Sequence, residues 1–344
     1  MNTPATPEGR LRAYAQFIFA ILYFLLMGAV ARGSAHSLTS DQWSPLAQQV
    51  ILVFLLLLGY AAMGFWMNRQ RDPLSEQGLP RRKGWQGEAA LGMATGWGIE
   101  AVCVLPMALI GGIVVSISVA PSDWGWLVAD TAFFVMAVMA EEIAFRGYGF
   151  QRFVQAVGPV WGSFGFAAFY AIAQSFLPGA SRASFAVAVA LGLVLSAVYL
   201  RTKALWVSWG INFGWKASRA LIFGLTISGV SVHSPVVEGV PLGPQWLTGG
   251  GYGLDGSWFA FVVLLASLPV VFRLTRDLDY RYNAPVIEPA GIPVDLDANV
   301  RAQHEAAMGP GTATASPLVQ IAPASAPPAA DSGNVPADLP SGPQ

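Results

Sequence analysis

Glu141 and Glu142, with Arg146 following, lie near the end of an apolar stretch that begins at Leu127. Charges at bilayer depth are expensive, and they mark either pairing or function. On a helix over 127–149, Glu142 and Arg146 stand four apart on one face, the spacing of an intrahelical ion pair. Glu141 points about 100° away from them. Asp130 lies eleven residues before Glu141, close to three full turns, which puts these two carboxyls on a shared face roughly 16 Å apart along the axis. The Glu142/Arg146 pair therefore reads as structural, and Glu141 as the group left for chemistry. The alternative, that all three only fix helix packing or snorkel to headgroups, stays open on spacing alone.

The elements that must position these groups are membrane helices. A chain of 344 residues that is 54% hydrophobic and 11% charged cannot hide its apolar surface in water. A bilayer needs about 20 apolar residues per helix, and such runs fall near 13–31, 49–67, 90–119, 127–149, 159–177, 184–200, 204–228 and 256–274. The predicted fold is an all-α polytopic membrane protein with about eight transmembrane helices. The first run lacks a small-residue cleavage site and is expected to stay in the mature protein.

The basic residues set the orientation. Taking the N-terminus as cytoplasmic, fifteen of the 19 Lys and Arg residues fall on that side, among them Arg69, Arg71, Arg81, Arg82 and Lys83, and only Arg32 and Arg182 fall on the other. Both termini are thus predicted to be cytoplasmic, with the bacterial inner membrane the expected location. A formal charge of −1 gives no reason to expect a nucleic-acid partner, and the loop from Arg69 to Lys83 reads as an orientation signal in contact with membrane lipids. The lone Cys103 excludes an internal disulfide and a cysteine metal cluster. After Tyr282 the chain turns to Ala, Pro, Ser and Gly, with eleven of the 24 prolines, a composition expected to be disordered.

The run Ala140-Glu141-Glu142-Ile143-Ala144-Phe145-Arg146-Gly147 resembles the EExxxR signature of the CPBP family, the type 2 CAAX prenyl proteases and bacteriocin-processing membrane proteins. Ser163 to Gln174 is similar to the helix carrying that family's FxxxH motif, with Tyr170 at the Phe position and Gln174 at the His position. Ala204 to Lys216 is similar to the helix carrying HxxxN or HxxxD, with Asn212 in place of His and Lys216 in place of Asn or Asp. The resemblance covers roughly 90–228 and implies a CAAX-protease-like helical bundle. On this reading 1–89 holds two helices and the basic loop, 90–228 the core, 229–281 an external loop and the last helix, and 282–344 the tail. His36, His233 and His304 are expected in the first external loop, the loop after the seventh helix and the tail, away from the site.

The resemblance implies glutamate-dependent peptide-bond hydrolysis in a cavity open to the cytoplasm. Glu141 would be the general base, while Glu142 and Arg146 complete the motif. Gln174 could hold the water by hydrogen bonds but cannot exchange a proton near neutral pH. Asn212 and Lys216, four apart on one face, can both donate to a developing oxyanion. Lys216 and Arg219 also need acidic partners at membrane depth, with Glu141, Glu100 and Asp130 the candidates. By helix length Gln174 is expected about twice as far from the cytoplasmic end as Asn212, an awkward depth difference for one site. No cofactor is implied, and no His₂Glu or cysteine ligand set for zinc can be assembled. The expected partner is a membrane-associated or hydrophobic peptide. Two readings remain: an intramembrane endopeptidase, or a non-catalytic pseudoprotease of the same fold that binds peptides as an adaptor. A transporter has less support, because no paired broken helices or inverted repeat are visible.

Overall fold

The computed structural model describes residues 7–118, 120–229 and 236–283. In chain order the elements are α1 (Pro7–Leu38), α2 (Ser44–Asn68), α3 (Pro73–Glu76), α4 (Trp85–Leu109), β1 (Ile113–Ile117), α5 (Pro121–Arg146), α6 (Tyr148–Val157), α7 (Pro159–Ser175), α8 (Arg182–Thr202) and α9 (Leu205–Ala217). A π-helical turn, Ser218–Ile222, extends α9. Then follow β2 (Val237–Pro241), α10 (Gln245–Thr248), α11 (Trp258–Leu274) and α12 (Arg276–Tyr282). The protein is an all-α polytopic membrane protein, as its composition requires.

Among the described residues, four helices, α1, α2, α4 and α8, are long and apolar enough to cross a membrane, and α11 with α12, bent by 55°, makes a fifth candidate. Three of the eight segments expected to span fall short of that standard. The α5 helix carries Asp123, Asp130, Glu141, Glu142 and Arg146, while α7 has 17 residues and α9 has 13. Leu22, Leu25 and Leu26 on α1 and Phe54, Leu58 and Phe65 on α2 are each more than half exposed, a surface suited to lipid.

Local chemistry explains the helix ends. Proline occupies the first turn of α2, α5 and α7, where its missing N–H is harmless. Ser181 and Ser184 form a reciprocal capping box at the start of α8. The expected span 90–119 needs correcting: its helix stops at Leu109, Gly111 turns the chain at φ 73°, and the β-branched run 113–117 becomes a strand. That strand pairs antiparallel with β2, Ile113 opposite Pro241 and Ile117 opposite Val237. The expected span 204–228 likewise ends its α-helix at Ala217.

The closest helix contact joins α4 to α9. Gly92 and Gly96 on one helix face Gly210 and Gly214 on the other. A methyl added at Gly92 or Gly96 would run into the carbonyl oxygens of Val207 and Ile211, and one at Gly210 or Gly214 into those of Ala89 and Met93. Two interlocking small-xxx-small faces thus bring the backbones together, as membrane helices do where burial from water gives no driving force.

The bundle has two distinguishable ends. At one, the α1–α2 turn meets the start of α5, with Trp43 stacked on Trp126 at 5.3 Å between centroids. At the other, the basic loop after α2 meets α6 and the α8–α9 turn: Arg152 Nη1 donates to Asn68 Oδ1 at 3.1 Å, Arg82 Nη2 to the Thr202 carbonyl at 2.9 Å, and Trp206 Nε1 to the Pro80 carbonyl at 2.9 Å.

Candidate active site

The second half of α5 carries the EExxxR run into the packed interior. Arg146 Nη1 lies 2.9 Å from Glu142 Oε1, and both side chains are sealed from solvent. The guanidinium also faces the Tyr170 ring at 5.5 Å. This is the i,i+4 pair that the spacing predicts. Glu141 differs: its side chain keeps 26% of its exposure and lines a cavity.

Glu141 is paired across to α9, as one of the acids expected to face Lys216. Lys216 Nζ donates to both Oε1 and Oε2 at 2.6 Å. Asn212 Nδ2 donates to Glu141 Oε2 at 3.2 Å and to Glu142 Oε1 at 3.0 Å. One helical face of α9 therefore grips both carboxylates of α5, and the cost of a lysine at membrane depth is offset by a direct counter-ion. Gln174 Nε2 donates to Tyr170 Oη at 3.0 Å and lines the same cavity as Glu141 and Lys216.

The expected depth difference between Gln174 and Asn212 does not separate them from Glu141. Asn212 bonds Glu141 directly and Gln174 lines the cavity that Glu141 meets, while the start of α9 is tied to the basic loop, where Leu205 N donates to the Gly78 carbonyl at 2.6 Å.

A second ion cluster lies on the next turn of the same helix. Arg219 binds Glu100 of α4 through Nε at 2.9 Å and Nη2 at 3.0 Å, and Asp255 through Nη1 at 2.6 Å. Trp215 adds its ring 4.5 Å from the Arg219 guanidinium and donates Nε1 to Asp255 Oδ1 at 3.3 Å. Glu100 was among the acids expected to face this helix; Asp255, in a 3₁₀ turn before α11, was not. Burial alone would raise the Asp255 carboxyl, but the Arg219 charge and hydrogen bond, helped by Lys216 and Ser228, hold it below its ordinary value. His36 lies in α1 and is exposed, a correction to its expected loop position; His233 and His304 lie outside the described residues.

The cavity measures about 380 Å³. Asp130, Phe134, Val138 and Glu141 line it from α5, Gln174 from α7 and Lys216 from α9, with Ser228 beside them and Gln42, Trp43 and Trp126 towards the α1–α2 turn. It runs from Glu141 to the end of the bundle that holds the α1–α2 turn, opposite the basic loop. Among the described residues, no three His, Cys, Asp or Glu side chains are grouped to hold a metal ion.

Residues 123–218 match the family model described as Type II CAAX prenyl endopeptidase Rce1-like. The match runs from the start of α5 to the end of α9 and includes Glu141, Glu142, Arg146, Gln174, Asn212 and Lys216. It bears out the resemblance drawn from the motifs, over a shorter stretch than 90–228. No curated protein and no solved structure gave a significant match.

Proposed function

We propose, from the match of residues 123–218 to the Rce1-like type II CAAX prenyl endopeptidase model, that the chain is an intramembrane endopeptidase-like protein with Glu141 as its water-activating base. The observation that carries this reading is that Glu141, and not its neighbour Glu142, meets the cavity, with Gln174 and Lys216 on the same walls.

In the reaction, a water held by Gln174 and Glu141 gives a proton to the Glu141 carboxylate as its oxygen attacks a peptide carbonyl carbon. Lys216 turns from Glu141 to the carbonyl oxygen and stabilises the charge that develops there, while Asn212, fully buried behind the cavity wall, holds the two carboxylates in place. Collapse of the tetrahedral species breaks the C–N bond, and the departing amine takes the proton from Glu141. Glu142 and Arg146 hold α5 in register and touch no reacting atom.

The substrate is a membrane-associated or hydrophobic peptide. Phe133, Phe134 and Trp126 offer it apolar walls. With the basic loop and both termini in the cytoplasm of a bacterial inner membrane, the cavity mouth faces the opposite side. The core is assigned to 90–228, the two first helices and basic loop to 1–89, the external loop and last helix to 229–281, and the tail to 282–344.

A second reading is favoured by one observation, the grip of Lys216 on both oxygens of Glu141. An ammonium so placed competes with a water proton for the carboxylate, and a pseudoprotease that only binds peptides would tolerate it. Cleavage of a quenched fluorescent peptide library by the full chain in nanodiscs separates the two. The endopeptidase reading expects cleavage that falls by about 10² or more in Glu141→Gln. Silence of the wild type, with cleavage gained in Gln174→His or in Gln174→His with Asn212→His, would replace it by the pseudoprotease.

A further inference from the structure

A second cavity, of about 530 Å³, lies at the basic end of the bundle, away from the Glu141 site. Three arginines from three helical elements line it: Arg12 from α1, Arg69 at the end of α2 and Arg152 from α6. No carboxylate is among its lining residues. Three like charges that line one cavity repel one another unless an anion joins them there.

Arg152 shows that the site is built. Its side chain is only 8% exposed, and Nη1 donates to Asn68 Oδ1 at 3.1 Å. Asn68 is itself held by donating to Tyr148 Oη at 2.8 Å, and the Tyr148 ring lies 5.2 Å from the guanidinium. Yet Arg152 Nε is buried without a hydrogen-bond partner. A buried guanidinium N–H left unsatisfied costs more than the same group on the surface. Burial also lowers the proton affinity of Arg152, and the Arg12 charge adds to that effect against the opposing influence of Tyr148, Tyr199 and Glu76. Glu76 does not line the cavity.

Arg12 donates to the Met67 carbonyl, which neutralises an orphan acceptor at the end of α2 and leaves the rest of its fork available. Beside it, Trp66 is exposed and lines the same cavity, an aromatic side chain at the level where membrane proteins meet headgroups. Arginine forks fit phosphate oxygens in pairs, so the missing component has the charge and shape of a phosphate group.

We propose that Arg12, Arg69 and Arg152 form a binding site for a phosphate group, supplied either by the headgroup of an anionic phospholipid or by a soluble phosphate. A polybasic contact with a headgroup at this depth anchors α1, α2 and α6 to the leaflet that the basic loops face.

The test uses the full chain in phosphatidylcholine nanodiscs with and without 20% phosphatidylglycerol, transferred to detergent for native mass spectrometry. Retained phosphatidylglycerol is counted in the wild type, Arg152→Gln, Arg69→Gln and the control Arg182→Gln at the opposite end. A parallel arm titrates inorganic phosphate and follows thermal unfolding. The expected result is a retained phosphatidylglycerol adduct that weakens at least about fivefold in Arg69→Gln and Arg152→Gln and is unchanged in Arg182→Gln. Stabilisation by millimolar phosphate that is lost in the same two variants, without lipid retention, would assign the site to a soluble anion. Arg69 is exposed, so Arg69→Gln keeps the test valid if Arg152→Gln fails to fold. Equal lipid retention in Arg69→Gln, Arg182→Gln and the wild type, with no effect of phosphate, would overturn the proposal.

Discussion

Lys216 Nζ sits 2.6 Å from each carboxylate oxygen of Glu141, so the ammonium of α9 and the carboxylate of α5 form a two-pronged ion pair on the wall of a cavity. The pair ties the two helices together, and on the proposed mechanism Lys216 supplies the cation for the oxyanion. Replacing Lys216 with Met is therefore expected to reduce kcat for peptide cleavage by about 10²- to 10³-fold, the usual cost of removing an oxyanion donor. Steady-state kinetics in nanodiscs measure it, and a rise in kcat would show that Lys216 restrains Glu141 instead of assisting it.

The buried Glu142/Arg146 pair makes a stability prediction. Breaking such a pair by removing one partner leaves an uncompensated charge and costs about 3 to 5 kcal/mol, whereas replacing both by apolar or neutral groups costs much less. Glu142→Gln and Arg146→Met are each expected to lower the thermal unfolding midpoint sharply, and the double variant to recover most of the loss. A double variant as unstable as the worse single one would show that the two residues do not act as a pair.

Glycine contacts between α4 and α9 predict a sharp positional contrast within one helix. Gly96→Leu must push α9 away, while Gly98, which has nothing within 4 Å of an added methyl, should accept Ala. Gly96→Leu is expected to abolish a monodisperse elution peak in detergent and Gly98→Ala to preserve it. Equal tolerance at both positions would contradict the backbone contact.

The direction of the cavity mouth can be read in cells. In a Cys103→Ser background, Gln42→Cys should react with a membrane-impermeant maleimide added outside intact cells, and Arg71→Cys only after the membrane is opened. The reverse pattern would place the basic loop outside and turn the cavity towards the cytoplasm.

Much of this site was legible because its geometry is local. Glu142 and Arg146 declare themselves by a four-residue spacing, and Asn212 with Lys216 by another. The need of Lys216 and Arg219 for acidic partners also followed from the cost of charge in lipid, which narrowed the choice to Glu141, Glu100 and Asp130; two of the three proved to be the partners. Asp255 was missed because it reaches Arg219 from a turn 36 residues further on, with no periodicity to announce it. Pairing of β1 with β2 was illegible for the same reason: Ile113 and Pro241 are neighbours only through the tertiary fold. The repeated glycines of α4 and α9 did offer a signal, since Gly92/Gly96 and Gly210/Gly214 both follow the small-xxx-small pattern, but each alone resembles ordinary membrane-helix glycine. Helix count was the least legible property, because α5 spends its apolar length on charges and α7 and α9 are short.

Backbone contact between α4 and α9 also decides what in this bundle is able to move. Two helices that touch through carbonyl oxygens have no compressible side-chain layer between them, so they shift together or not at all. The wall holding Asn212 and Lys216 is in that sense the anvil of the site. On the proposed function, a peptide too large for the resting cavity would enter by the opposite wall, where Trp43 of the α1–α2 turn stacks on Trp126 of α5.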